Sequence, residues 1–201
     1  MVERRQKGEH ELQKKYNTRK SANSFYNTQV LNFLNSEMQK FISEQEMVFI
    51  STADAKGECD ASFRAGPKSF VKVLDNNTII FPEFKGNGVM ASMGNIIENP
   101  NIGLMFIDFF DSSIGLHVNG KAEIITEHQA GKLVNPIDKA KAEKDGKHKT
   151  KLWIKIEVEE AFIHCSKHIP KLQKMDKVLH WGTDDEKLKG GDFFNTRECK
   201  S

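Results

Sequence analysis

The sequence predicts a mainly β protein: an antiparallel sheet of about six strands with helices at its periphery. Three observations carry that expectation. Apolar and polar residues alternate in several short runs, most cleanly where Leu116, Val118, Gly120, Ala122 and Ile124 interleave with His117, Asn119, Lys121 and Glu123; this period of two marks a half-exposed strand. Short turns such as Asp54-Ala55-Lys56-Gly57 and Asp75-Asn76-Asn77 join neighbouring runs, as in antiparallel hairpins. Finally, a sheet of this many strands gains by closing into a barrel, which removes its unpaired edges.

Residues 1–27 are polar and charged, with a helix expected from Glu9 to Arg19 whose Leu12 and Tyr16 stand four apart. Val30, Leu31, Leu34, Met38, Phe41 and Ile42 fall at helical spacing. They predict an amphipathic helix over residues 28–44, capped by Asn27 or Thr28. Met47 to Thr52 reads as the first long strand. In the second, Cys59, Ala61 and Phe63 alternate with Asp60, Ser62 and Arg64. Its apolar face is expected in the core, with Cys59 as an inert core thiol. Ala65-Gly66-Pro67-Lys68 breaks this strand, and Phe70–Leu74 and Thr78–Phe84 form a hairpin around residues 75–77.

The chain is organised around residues 78–110. A strand ending in Phe81-Pro82-Glu83-Phe84 delivers the turn Lys85-Gly86-Asn87-Gly88 to a helix expected over residues 88–98. Val89, Met93, Ile96 and Ile97 share one face of that helix, and Asn99-Pro100 stops it. Ile102 to Phe110 follows as a strand apolar on both faces. Backbone N–H groups at a helix N-terminus, the helix dipole and an adjacent ammonium together suit a phosphate. Ordinary turn and cap chemistry produces the same pattern, and on the generic rules both readings stay open.

Residues 127–151 carry Lys132, Lys139, Lys141, Lys144, Lys147, Lys149 and Lys151 without an interleaved aromatic. A solvated excursion is expected there, since a single-strand binder needs stacking partners. The last strand has Leu152, Ile154, Ile156 and Val158 in alternation and continues to Phe162-Ile163-His164-Cys165. The organisation expected is a helical extension over 1–46, a β domain over 47–166 containing the excursion, and a tail over 167–201.

Composition narrows the function classes. A net charge of +2, from 30 basic and 28 acidic residues, gives no electrostatic case for nucleic acid or an anionic membrane. No apolar run approaches the roughly 20 residues that span a bilayer, and no apolar segment follows the charged start, so no secretory signal is expected. Cys59, Cys165 and Cys199 form no disulfide framework, which fits the cytoplasm. His164, Cys165 and His168 lack a fourth ligand nearby, so no metal site is expected. No nucleophile–base set stands out, and His117 and Glu123 are too far apart along one strand face to pair directly.

Four pieces recur in a familiar order and spacing. They are Ser62-Phe63-Arg64 leading into Ser69-Phe70-Val71-Lys72-Val73-Leu74-Asp75; Phe81-Pro82-Glu83-Phe84-Lys85-Gly86-Asn87; Ser92 through Asn95-Ile96-Ile97-Glu98-Asn99-Pro100 to Phe106; and Val118-Asn119-Gly120-Lys121-Ala122-Glu123 followed by Phe162-Ile163-His164-Cys165-Ser166-Lys167. In this arrangement the chain resembles the pyridoxamine 5′-phosphate oxidase-like superfamily of FMN-binding split barrels. Gly8-Glu9 with Leu12-Gln13 is similar to a subgroup that carries a helical extension before the barrel.

The resemblance implies a six-stranded antiparallel Greek-key split β-barrel with peripheral helices. It also implies a homodimer that holds FMN non-covalently at the subunit interface. Its implied cofactor contacts are Lys85, Gly86, Asn87 and Ser92 at the phosphate. Arg64 and Lys68 are implied beside the ring edge that becomes negative on reduction, with Ser69, Phe70, Phe81 and Pro82 lining the isoalloxazine and ribityl site. The implied activity is an FMN-dependent oxidoreductase passing electrons from a reduced nicotinamide-type donor to a small organic acceptor. The alternative is a non-enzymatic flavin carrier, or a haem-binding relative using His164 or His168. Members that oxidise the pyridoxamine phosphate vitamer carry an arginine-rich motif near the C-terminus. Here Lys167-His168-Ile169-Pro170-Lys171-Leu172 has no arginine, and Gly86-Asn87-Gly88 stands in place of a stronger basic cluster, which argues against vitamer oxidation.

Overall fold

Alternating strands find one another in a single antiparallel sheet. In the computed structural model, which describes residues 7–84, 86, 88–134, 152–176, 178, 185, 187–188 and 191–200, the strands are β1 (Val30–Leu31), β2 (Met47–Ala53), β3 (Cys59–Ala65), β4 (Lys72–Val73), β5 (Thr78–Glu83), β6 (Asn101–Ile107), β7 (Gly115–Thr126) and β8 (Leu152–His164). Their order is β3-β2-β6-β7-β8-β5-β4, with β1 pairing the far half of β8. The helices are α1 (Lys7–Lys15), α2 (Arg19–Gln29), α3 (Ser36–Glu44), α4 (Ala91–Glu98) and α5 (Glu127–Leu133). The six long strands fall where strands are expected from the sequence; β4 is a two-residue core of the strand expected over Phe70–Leu74, and β1 is an addition. Much of the lysine-rich excursion falls at 135–151, outside the described residues.

One face of the sheet is the core. Val48, Ile50, Ile79, Phe81, Leu104, Phe106, Val118, Ile154 and Ile156 are almost wholly shielded from solvent, joined by Leu34 before α3, Ile42 in α3, and Met93 and Ile96 in α4. Each large apolar side chain so buried is worth about 1.5–3 kcal/mol of transfer free energy. A smaller cluster lies on the opposite face, where Ile80, Ile125, Ala130 and Val134 pack with Leu74 and Trp153 under α5. No helix among the described residues is long and apolar enough to cross a membrane.

Three local expectations are corrected. The helix foreseen over 28–44 is interrupted: Val30 and Leu31 pair with Phe162 and Ala161, and α3 begins only after Asn35, whose Oδ1 accepts from the Met38 N–H at 2.9 Å. Strand pairing satisfies that backbone, and the asparagine cap restarts the helix. In the organising helix, Met90 takes a left-handed conformation (φ 56°) and α4 starts at Ala91. Val89 and Ile97 therefore stay exposed while Met93 and Ile96 enter the core.

The third correction concerns β3. Cys59, Ala61 and Phe63 face outward and are exposed, whereas Asp60, Ser62 and Arg64 turn toward the barrel interior. Register dictates this: Arg64 lies opposite Val48 and Ser62 opposite Ile50, both core residues of β2. Side chains of paired residues share a face, so the polar set of β3 must point inward.

A bulge decides the end of β8. Asn119 pairs with Glu160 but Gly120 pairs with Val158, leaving Glu159 as an extra residue. Ile154, Ile156 and Val158 face the core, yet beyond the bulge the buried residue is Ala161, so Phe162 and His164 point outward. Gly120 permits the close approach at this point; a Cβ there would lie 2.1 Å from the Glu157 carbonyl oxygen.

Candidate functional site

The two ends of the sheet, β3 on one side and β5-β4 on the other, share no backbone pairing. Side chains span that seam. The Arg64 Nε donates to Glu83 Oε2 at 2.8 Å, joining β3 to β5, and its Nη1 donates to Ser62 Oγ at 2.6 Å. Arg64 Nη2 reaches Ser92 Oγ on α4 at 3.5 Å, and the Ser92 hydroxyl donates to Asp60 Oδ2 at 3.0 Å. Polar residues from two strands and a helix thus converge where the barrel is open.

Both charges of the pair are largely removed from water, with side-chain exposures of 17% for Arg64 and 9% for Glu83. Burial pushes the Glu83 carboxyl above its ordinary value, while the hydrogen bond and charge of Arg64 pull it back. Helix α4 is anchored over the same end of the barrel: Asn95 donates to Thr52 Oγ1 at 3.1 Å, and Glu98 accepts from the Ala55 N–H at 3.2 Å. Left-handed conformations at Gly86, Gly88 and Met90 bring the chain into its first turn.

Of the residues singled out from the sequence, Arg64 and Ser92 meet here although 28 positions separate them. Gly86 is exposed in the turn that precedes α4, and its neighbours Lys85 and Asn87 lie outside the described residues. Lys68 and Ser69 are exposed beyond β3; Ser69 has a φ of 65° and donates to the Ser43 carbonyl at 3.0 Å. Phe70 packs over Gly66, and Phe81 is wholly buried; both rings belong to the core. Pro82 takes the opposite face from Phe81, paired with Trp153. Glu83, Asp60 and Ser62 were not singled out. A signal existed for Glu83, since its position continues the inward alternation of Ile79 and Phe81, where a carboxylate needs a partner.

A second arrangement occupies the outer face of the sheet. Phe63, Phe49, Met105, His117 and Phe162 stand opposite one another across β3, β2, β6, β7 and β8. The rings of Phe49 and Phe63 lie 5.4 Å apart and remain 38% and 51% exposed, and at the other end Phe25 of α2 packs edge-on against Phe162. Beside this row the His117 Nε2 and His164 Nδ1 approach to 2.9 Å. Burial and the neighbouring imidazole hold His117 below the usual histidine range, against an opposing pull from Glu160.

The sequence profile described as pyridoxamine 5′-phosphate oxidase matches residues 34–165. The chain belongs to this family. The matched span runs from the core residue Leu34 to just beyond β8 and so contains every long strand, the Arg64–Glu83 seam and α4. Among solved structures, the chain is similar to HupZ of Group A Streptococcus at 26% identity, covering 65% of this chain and 93% of that one with a TM-score of 0.48. It is similar to a pyridoxamine 5′-phosphate oxidase-type protein of Lactobacillus delbrueckii at 20% identity, with coverages of 67% and 99% and a TM-score of 0.47. HutZ, the haem storage protein of Vibrio cholerae, is similar at 16% identity, with coverages of 65% and 94% and a TM-score of 0.47. A comparison with curated protein sequences returned no match.

Proposed function

We propose that the protein is an FMN-binding oxidoreductase in which the seam of the split barrel receives the phosphate end of the flavin. The observation that carries this reading is the meeting of Arg64 and Ser92 beside the N-terminus of α4. The residues fit an anionic group: a guanidinium whose Nη2 makes a long 3.5 Å contact to Ser92, a hydroxyl, and a helix start reached through left-handed backbone at Gly86 and Gly88. Lys68 and Ser69, exposed at the end of β3, are available to the ring edge, while Phe70 and Phe81 stiffen the wall from the core side. FMN when bound supplies the hydride chemistry, taking electrons from a reduced nicotinamide-type donor and passing them to a small organic acceptor.

A second copy of the chain completes the site in this reading. The row Phe63–Phe49–Met105 crosses three strands next to the seam and leaves two phenylalanine rings in water, a face suited to an identical partner. Phe49→Lys is expected to halve the particle mass in light scattering and to abolish flavin uptake together with dimerisation. A monomeric wild type overturns the dimer.

An absorption spectrum of the purified protein, before and after adding FMN, tests the function. A bound flavin band that a nicotinamide donor bleaches supports the oxidoreductase. Ser92→Ala is expected to weaken FMN binding about tenfold, the equivalent of one hydrogen bond to a charged group. Flavin that no donor reduces moves the reading to a carrier, a Soret band moves it to haem, and failure to take up FMN rejects it.

A further inference from the structure

His117 of β7 and His164 of β8 sit outside the seam, on the outer face of the sheet, and neither belongs to the apolar core. Two features of the fold bring them to one place. The Glu159 bulge turns His164 outward when the alternation of Ile154, Ile156 and Val158 would have sent it inward. Gly115, opposite His164, leaves the space above it open: a Cβ there would lie 2.7 Å from the Cβ of His164. The ring of Phe162 then stacks on His117 at 4.7 Å with an interplanar angle of 15°, which fixes the imidazole plane.

From this geometry we infer that His117 Nε2 and His164 Nδ1 form a two-imidazole chelate for a divalent transition-metal ion that favours right-angled coordination, such as Ni²⁺. The two nitrogens lie 2.9 Å apart. With metal–nitrogen bonds of about 2.05 Å, that separation subtends about 90° at the ion, whereas tetrahedral coordination would need about 3.3 Å. Right-angled pairs of imidazoles suit octahedral or tetragonal ions, with water or an external ligand filling the remaining positions. Glu160 lies on the same outer face, with its Oε1 accepting from Asn119 Nδ2 at 2.8 Å, and its charge acts on His117. That negative field favours a cation. Both imidazoles bind as neutral rings, each keeping its proton on the nitrogen that faces away from the ion, so binding needs a tautomer change without net proton release.

Calorimetric titration of the full-length protein with Ni²⁺ tests the inference. One ion per chain is expected, and His117→Gln and His164→Gln are each expected to weaken binding by about tenfold or more, at least the loss known for outer-shell partners. Circular dichroism checks that the variants are folded. In the wild type itself, Ni²⁺ is expected to broaden the ring resonances of two histidines ahead of the others, a readout independent of any variant. A wild type that binds no Ni²⁺, variants that bind it unchanged, or broadening centred on other histidines overturns the chelate. Both ligands come from one chain and neither belongs to the seam, so failure here leaves the flavin reading intact.

Discussion

Gly120→Ala is expected to destabilise the protein by about 3 kcal/mol or more, and to lower its soluble yield. The added methyl would stand 2.1 Å from the Glu157 carbonyl oxygen and 3.0 Å from its carbonyl carbon. Those are backbone atoms of β8 at the bulge, held by ladder pairing on both sides, and cannot move without unzipping the two longest strands. Gly94→Ala serves as the control. A Cβ at Gly94 meets nothing within 4 Å, and within helix α4 alanine is favoured over glycine by about 0.5–1 kcal/mol. The same chemical change should therefore act in opposite directions at the two sites. Denaturant unfolding measures both, and equal midpoints for Gly120→Ala and wild type would show that the β7–β8 contact yields to the added methyl without cost.

Arg64→Ala is expected to cost about 3 kcal/mol near neutral pH and to abolish FMN uptake. Removing the guanidinium leaves the Glu83 carboxylate buried without its counter-charge. The pH dependence distinguishes this cause from simple loss of packing. The carboxyl of Glu83 is already raised above its ordinary 4.5 by burial, with Arg64 opposing. A carboxyl raised by folding contributes its stability in the protonated form, fully below its unfolded value, and loses it as pH rises through the folded value. Without Arg64 both lowering influences vanish and the folded value climbs further. The deficit of Arg64→Ala should then be largest where Glu83 is ionised and shrink as pH falls toward the ordinary carboxyl range. Adding Glu83→Gln to the variant should recover much of the lost stability, because a neutral amide removes the stranded charge. A deficit independent of pH, unrelieved by Glu83→Gln, would assign the loss to packing.

Much of this architecture was legible along the chain. The alternation over β7, the short turns after β2 and between β4 and β5, and the Asn99-Pro100 stop of α4 were read from the residues themselves. Local geometry explains why: period-two patterning, turn residues and proline act within a few positions of themselves. The same locality accounts for the misreading at residues 28–35. Val30 and Leu31 match a helical stripe as well as a strand, and only pairing with Phe162 and Ala161 of β8 decides between them.

The candidate site was legible in part. Arg64 and Ser92 were picked out, and the fold brings them together; Glu83 and Asp60, which complete the cluster, were not. The pairing of His117 with His164 was hidden as well, because counting along β8 in steps of two sends His164 to the wrong face.

By itself the sequence determined that β3 has one apolar and one polar face, that long antiparallel strands dominate, and that a glycine turn leads into α4. It did not determine which face of β3 turns inward. Hydrophobicity alone would bury Cys59, Ala61 and Phe63, yet pairing with Val48 and Ile50 puts Asp60, Ser62 and Arg64 inside. The physical reason lies across the seam and in the unpaired edge. Glu83 and Ser92 receive the buried guanidinium and Asp60 receives the Ser92 hydroxyl, while Cys59, Ala61 and Phe63 are left exposed on the outer face. A strand's inward face is chosen by what waits on the other side of the barrel, and that is settled only when the sheet curls.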